Sequence, residues 1–120
     1  MKHFEYFEPR YDGEIVEIGL SNPMYYDLRQ YEEMRDEIAA FIRHFRPRKL
    51  VVNFSQVRYC PTAVISALLI LKTEVENYGG QMNCCGMNAE VRDSFAALKL
   101  DGSVFEIHST AASALGAFSS

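Results

Sequence analysis

The Cys-Pro-Thr tripeptide at residues 60–62 is the segment whose side-chain types and spacing could carry chemistry. Pro61 is favourable at the first position of a helix, because its missing N–H is one that a helix leaves unbonded there. Thr62 would then lie in the first turn, where free amides and the helix dipole favour an anion. A phosphate on its hydroxyl would add about 1.5 to 2 negative charges. The tripeptide therefore predicts either an ordinary first-turn or capping residue or a charge-based binding switch.

The other chemistry-bearing residues predict packing rather than catalysis. Cys60 precedes a helix N-terminus, which can stabilise a thiolate, but no sequence neighbour offers a base. Cys84 and Cys85 are adjacent, so on a strand they point to opposite faces and cannot close a tetrahedral metal site. The histidines are scattered, at His3, His44 and His108. We find no nucleophile with a base and an orienting residue, and expect no enzyme activity, metal or cofactor.

Composition limits the classes of protein that this chain can be. Its 120 residues are 48% hydrophobic, which predicts one domain over residues 1–120. The net charge of −4 argues against nucleic-acid binding, which needs a basic surface. The N-terminus has no signal-peptide core, and the longest apolar stretch, Ala63–Leu71, has about half of the ~20 residues of a membrane span. With three cysteines, two of them adjacent, the chain is expected in the cytoplasm.

Two-residue alternation predicts an antiparallel hairpin at the start of the chain. The segment Phe4–Glu8 is aromatic and roughly alternating, and the predicted first strand ends at Pro9. Asp12 and Gly13 are expected at the centre of the turn. A second strand is expected over residues 14–20, where apolar residues recur at every second position.

Strands and helices alternate through the remainder of the chain. Asp27 is expected to cap an amphipathic first helix that stops at Pro47. The elements predicted after it are a strand at 50–54, a helix at 61–78, a strand at 81–86, a helix capped by Asn88, a strand at 104–107 and a helix capped by Ser109 or Thr110. This alternation implies parallel strands with right-handed crossovers. The predicted fold is therefore α/β, with a mixed sheet of four to five strands and about four helices.

An ordered set of segments gives the chain a resemblance to a known family. The segments are the strand Leu50–Phe54, the sequence FSQVRYC before a helix, an apolar helix ending in Gly79-Gly80, a strand through Cys84-Cys85-Gly86, and the stretch NAEVRDSFAALKLDGSVFEI. Together they resemble the STAS domain family, the fold of bacterial anti-sigma factor antagonists and of sulfate-transporter tails. With the hairpin included, the resemblance covers nearly the whole chain.

The resemblance implies a switch at the start of the helix after the central strand. Typical members carry Asp there, then a phosphorylatable Ser or Thr, a small residue and Gly. Thr62 falls at the phosphoacceptor place, with Pro61 in place of the Asp and Val64 in place of the Gly. The partner-binding residues implied are Tyr59, Cys60, Pro61, Thr62, Ala63 and Ser66. Pro61 predicts slower or absent phosphorylation relative to a member that carries Asp.

Two functions remain open from the sequence. The first is a non-enzymatic regulatory module that resembles an anti-sigma factor antagonist and binds an anti-sigma factor or a related kinase-like protein under the control of Thr62. The second is a scaffold or small-ligand sensor that is never phosphorylated, with a ligand pocket between the helix start and the hairpin. In either case we expect a monomer or a weak homodimer.

Overall fold

The N-terminal hairpin consists of β1 (Phe7–Asp12) and β2 (Ile15–Leu20) in the computed structural model, which describes residues 4–24, 27–102 and 104–118. Its turn lies one residue later than predicted, because Asp12 pairs with Ile15 and the two central residues are Gly13 and Glu14. Gly13 has φ +61° at the first central position, which favours glycine in two-residue hairpin turns.

The first strand continues through Pro9, where the sequence predicted its end. The N–H of Ser21 donates to the carbonyl of Tyr6 at 2.9 Å, so this pair is a hydrogen-bonded one. By alternation, the backbone N–H and C=O groups of Phe7, Pro9 and Tyr11 point away from β2. The N–H that proline lacks would therefore face outward from the sheet edge, and Pro9 costs the ladder no hydrogen bond.

The first helix, α1 (Leu28–Phe45), begins and ends as the sequence predicted. The Asp27 carboxylate accepts a hydrogen bond from the N–H of Gln30 at 3.0 Å, which satisfies one of the free amides of the first turn. The residue after the helix, Arg46, is its C-cap, and its left-handed conformation (φ 47°) turns the chain just before Pro47.

The later elements are β3 (Lys49–Asn53), α2 (Thr62–Asn77), β4 (Gln81–Cys85), α3 (Ala89–Ala97), β5 (Ile107–His108) and α4 (Ala111–Gly116). The sheet has the order β1-β2-β3-β4-β5, with β1 antiparallel to β2 and the other pairs parallel. This confirms the predicted mixed α/β fold. Asn88 caps α3, and Thr110 rather than Ser109 caps α4. The last strand is later and shorter than expected, because Phe105 makes only an isolated bridge with Asp101.

The sheet separates a large core from a small one. Leu50 and Val52 belong to the large core with buried residues of α1, α2 and α3, whereas Val51 packs with Ala114 of α4 on the other face. Cys84 and Cys85 divide in the same way, which confirms that they point to opposite faces. Within the described ranges no helix is both long and apolar enough to span a bilayer.

Candidate functional site

The loop of residues 54–61, which leads from β3 into α2, is held by hydrogen bonds to two other parts of the chain. The N–H groups of Arg58 and Tyr59 donate to the carbonyl of Pro23 at 2.9 and 3.3 Å. The side-chain amide of Asn88 donates to the carbonyl of Arg58 at 3.2 Å. These contacts fix the position from which α2 starts.

The beginning of this loop packs against a glycine at the end of β4. The Asn53 Oδ1 accepts hydrogen bonds from the N–H and the Oγ of Ser55 at 2.8 and 2.5 Å. A Cβ on Gly86 would lie 2.6 Å from that Oγ and 2.8 Å from that Oδ1, and Gly86 has φ +74°. Only glycine therefore fits beside the Asn53–Ser55 turn without displacement.

Thr62 is the first residue of α2, and its side chain is exposed. Pro61 is the extended N-cap residue rather than the first helical residue that the sequence predicted. Its carbonyl accepts the N–H of Val64 at 2.9 Å and of Ile65 at 3.2 Å, but proline has no side-chain acceptor. The N-terminus of α2 therefore lacks the side-chain cap that Asp27, Asn88 and Thr110 provide to the other helices described.

A strip of exposed, uncharged side chains extends from Tyr59 through Thr62 along α2. Ser66 and Ile70 follow Thr62 at spacings of four and are exposed, Ile70 by 49%. Tyr59 is 43% exposed in the preceding loop. We call Tyr59, Thr62, Ala63, Ser66 and Ile70 the α2 surface; no charged residue occurs between Arg58 and Lys72. The spacing of Ile70 from Thr62 and Ser66 places it on the exposed face of α2.

Cys60 lies below this surface rather than on it. Only 1% of the residue is exposed, and burial raises the pKa of its thiol to about 12. Desolvation thus outweighs any stabilisation of a thiolate by the helix end. We therefore correct the sequence expectation and omit the Cys60 side chain from the α2 surface. Burial also raises the pKa of Cys85 to about 11 and that of Cys84 further.

A hydrogen-bonded group that the sequence analysis missed links β5 to α4. The His108 Nε2 lies 2.9 Å from the Glu106 Oε1, and its Nδ1 lies 3.2 Å from the Ser113 Oγ. Hydroxyl, imidazole and carboxylate stand in the order used by some hydrolases. The Glu106 side chain is 63% exposed and Ser113 is also exposed, so the group lies on an open surface. We interpret it as a tether between the two elements.

A polar cavity of about 470 Å³ lies between the hairpin and the loop of residues 54–61. Its lining includes Arg10, Glu17, Gly19, Asn53, Ser55 and Gln56. The Asn53 Nδ2 donates to the Glu17 Oε2 at 2.9 Å. In the described part of the chain, no three His, Cys, Asp or Glu side chains come together in a group that could hold a metal ion.

Comparison with known proteins identifies the fold. The family model described as STAS domain matches residues 6–114. An anti-sigma factor antagonist from Mycobacterium paratuberculosis is 17% identical, with a TM-score of 0.79 over 92% of this chain and 91% of that one. A variant of RsbS from Moorella thermoacetica is 13% identical, with a TM-score of 0.75 over 93% of each chain.

A third similar structure is that of the anti-sigma factor antagonist SpoIIAA in its unphosphorylated form. It is 21% identical, with a TM-score of 0.73 over 91% of this chain and 92% of that one. At these identities the likeness shows a shared fold. A search of curated proteins by sequence finds no match.

Proposed function

Since the chain belongs to the STAS domain family, we propose that it is a non-enzymatic regulatory module that binds a protein partner through the α2 surface and is switched at Thr62. The partner is an anti-sigma factor or a related kinase-like protein. The module consists of the single domain of residues 1–120 and works in the cytoplasm. Similar structures support the partner class, since two of them are named anti-sigma factor antagonists.

The observation that carries this proposal is an exposed threonine at a helix N-terminus, within a strip of exposed, uncharged side chains. The side chain of Thr62 is open to solvent, and so are those of Ser66 and Ile70 along the same helix. A partner that covers this strip would bury Tyr59 and Ile70, and aromatic and aliphatic anchors of this kind dominate binding energies. A charge placed at Thr62 would therefore lie within the area that the partner desolvates.

Phosphorylation would change this surface without changing the fold. A kinase would transfer the γ-phosphoryl group of ATP to the Thr62 Oγ1, take up the hydroxyl proton through its own base and release ADP. The phosphate would stand beside the uncapped first turn of α2, where free amides and the helix dipole favour an anion. A partner that presents an apolar or acidic contact there would then be repelled.

Replacement of Thr62 by aspartate tests the switch. We expect Thr62→Asp to weaken binding to an anti-sigma factor partner by at least about tenfold, measured by titration calorimetry. The matched control is Ser109→Asp, which adds the same charge to an exposed hydroxyl residue that precedes α4, away from α2. We expect that control to change affinity by less than about twofold. Unchanged affinity for Thr62→Asp would remove Thr62 from the proposal.

The identity of residue 61 tests the modification itself. Incubation with a kinase-like anti-sigma factor and ATP, followed by intact-mass measurement, is expected to give slow or no addition of one phosphate. Pro61→Asp, which restores the residue typical of the family, is expected to accelerate that addition, and Thr62→Val should abolish it. Addition that persists in Thr62→Val would place the phosphoacceptor elsewhere.

The polar cavity beside the hairpin favours a second candidate function, the small-ligand sensor. It adjoins Ser55 and Gln56 of the loop that leads to Thr62, so a ligand there would contact the support of the α2 surface. Gly19 leaves room in the cavity, because a Cβ there would approach no atom more closely than 3.9 Å. Native mass spectrometry of the purified protein would show a bound small molecule, and Gly19→Leu should remove it.

A further inference from the structure

The outer edge of β1 is an unpaired strand edge on which some residues offer both a hydrogen-bond donor and an acceptor and one offers only an acceptor. In the described part of the chain β1 pairs only with β2, at the end of the sheet order. The backbone groups of Phe7, Pro9 and Tyr11 point outward, but Pro9 has no N–H to donate. An added strand would therefore find a donor and an acceptor at Tyr11, and only an acceptor at Pro9.

Exposed aromatic side chains border this edge on the face that carries α1. Tyr11 is 60% exposed and Phe45 is 50% exposed, and their ring centroids lie 6.3 Å apart. Phe45 in turn packs against Phe41, with ring centroids 4.7 Å apart. These rings form one side of a groove of about 830 Å³ between β1 and α1. Large exposed aromatics beside an unpaired strand are typical of an interaction surface.

The opposite face of β1 carries alternating charges, so two antiparallel copies of this strand can place opposite charges against each other. Glu8, Arg10 and Asp12 alternate in sign along the strand, and all three are exposed. Within the described residues Arg10 and Asp12 form no ion pair. In an antiparallel pairing of this strand with itself, each arginine can therefore face a carboxylate of the other copy.

We propose that a second copy of this chain docks on β1, with its own β1 antiparallel and a two-fold axis at Tyr11. Tyr11 then faces Tyr11 of the second copy and exchanges two backbone hydrogen bonds with it. Arg10 faces Asp12 of the second copy on both sides of the axis, which gives two ion pairs. Tyr11 and Phe45 of both copies become buried on the α1 side, and the two sheets continue into one.

The residues of β1 select this register over its neighbours. An axis at Pro9 would set two prolines opposite each other at a hydrogen-bonded position and lose both bonds. An axis at Arg10 would bring the two arginines together, whereas the axis at Tyr11 keeps them apart. With the axis at Tyr11, each Pro9 lies opposite a Gly13, where its carbonyl can still accept a hydrogen bond.

Such an interface is small, so the dimer is weak and depends on concentration. Pairing confined to residues 9–13 falls below the ~1,200 Å² of a standard stable interface. We therefore expect a dissociation constant of about 0.1 to 1 mM for the dimer. The α2 surface stays free, because parallel crossover helices place Phe45 at the end of α1 that is remote from the N-terminus of α2.

Charge reversal along β1 tests the pairing. We expect sedimentation of the full chain from about 0.02 to 1 mM to show self-association that Arg10→Asp weakens at least about tenfold, as does Asp12→Arg. The double variant, with both reversals, should recover most of the association because its two ion pairs return. The matched control is Arg92→Asp on the exposed face of α3, which should behave as the unchanged chain. Absence of self-association at 1 mM, or a double variant as weak as the single ones, would overturn the proposal.

Cysteine pairs distinguish this register from the others. Arg10 and Asp12 of the second copy form a non-hydrogen-bonded pair with Cα atoms ~4.5 Å apart, which is within the reach of a disulfide. Mixed Arg10→Cys and Asp12→Cys chains should therefore cross-link faster than mixed Glu8→Cys and Arg10→Cys chains. The native cysteines give little background because all three are buried. Faster linking of the second mixture, or capture of an unrelated extended peptide in place of a second copy, would contradict the proposal.

Discussion

Thr62 lies at a position where an added negative charge is expected to destabilise the fold very little. Its side chain is exposed at the first residue of α2, and the residue before it supplies no side-chain acceptor to the first turn. The hydroxyl and its place near a helix start could be predicted from the sequence. The assignment of Pro61 was off by one position, because proline is favourable both at the first helical residue and at the extended residue that precedes it.

Substitution of Pro61 tests how much a side-chain cap at the start of α2 would stabilise the fold. Pro61→Ala loses only the conformational restriction of proline, which stabilises a compatible site by about 0.4 to 1 kcal/mol. Pro61→Asp loses the same restriction but adds a carboxylate that can accept a first-turn amide, which contributes about 0.5 to 2 kcal/mol. We expect the aspartate variant to be more stable than the alanine variant by about 1 kcal/mol in urea denaturation. Equal stability of the two variants would show that the first turn has no need of a side-chain acceptor.

The buried thiol of Cys60 predicts a loss of stability in alkaline solution. Burial raises the pKa of Cys60 from its ordinary value of 9.0 to about 12, so the folded chain keeps its proton over a range in which the unfolded chain releases it. The unfolded state therefore binds fewer protons above pH 9, and the free energy of unfolding falls as pH rises. We expect the urea midpoint to drop between pH 8 and pH 10. The decline should be smaller in Cys60→Ala, and an equal decline in that variant would assign the effect to other groups.

In the hairpin, sequence periodicity predicts that two strands exist but not where the first strand ends or where the turn lies. Alternation correctly predicts two antiparallel strands, but the end of β1 was wrong because a proline is compatible with an edge strand at every second residue. Which residues point outward depends on the pairing register, which Ser21 and Tyr6 define in space. The turn was displaced for a related reason: Gly13 satisfies either central position of a two-residue turn, and only the pairing of Asp12 with Ile15 decides between them.

Gly86 follows β4 and packs against the loop that supports α2, so its replacement by alanine is expected to destabilise the protein strongly. A Cβ would lie 2.6 Å from the Ser55 Oγ in a backbone conformation with φ +74°. The left-handed conformation alone costs about 1 kcal/mol, and displacement of the Asn53–Ser55 turn adds about 1 to 3 kcal/mol. The matched control is Gly102→Ala, with φ +78° and no atom within 4 Å of the added Cβ. In urea denaturation the free energy of unfolding should fall by about 1 kcal/mol for the control and by more than twice that for Gly86→Ala. Similar losses would mean that the Asn53–Ser55 turn moves aside at little cost.

At the scale of the whole molecule, the order of the elements could be predicted and the faces of the sheet could not. Alternation of strands and helices after the hairpin implies parallel strands, and the pairings of β2 with β3, β3 with β4 and β4 with β5 confirm this. The sequence of α4 does not indicate that, among the helices described, this one covers the second face of the sheet, where it packs on Val51 and Cys85. The cavity beside Asn53 and the self-complementary edge of β1 likewise depend on pairings between segments far apart in sequence.

The same topology separates the two surfaces that we propose, which leads to a prediction about their independence. The α2 surface lies where α2 begins, whereas Tyr11 and Phe45 lie at the hairpin tip and at the end of α1. No residue of the α2 surface belongs to β1 or to the carboxyl end of α1. A charge at Thr62 should therefore leave self-association unchanged, so Thr62→Asp and the unchanged chain should show the same dependence of sedimentation on concentration. A shift of more than about threefold in the dissociation constant would mean that the two surfaces are coupled through the sheet.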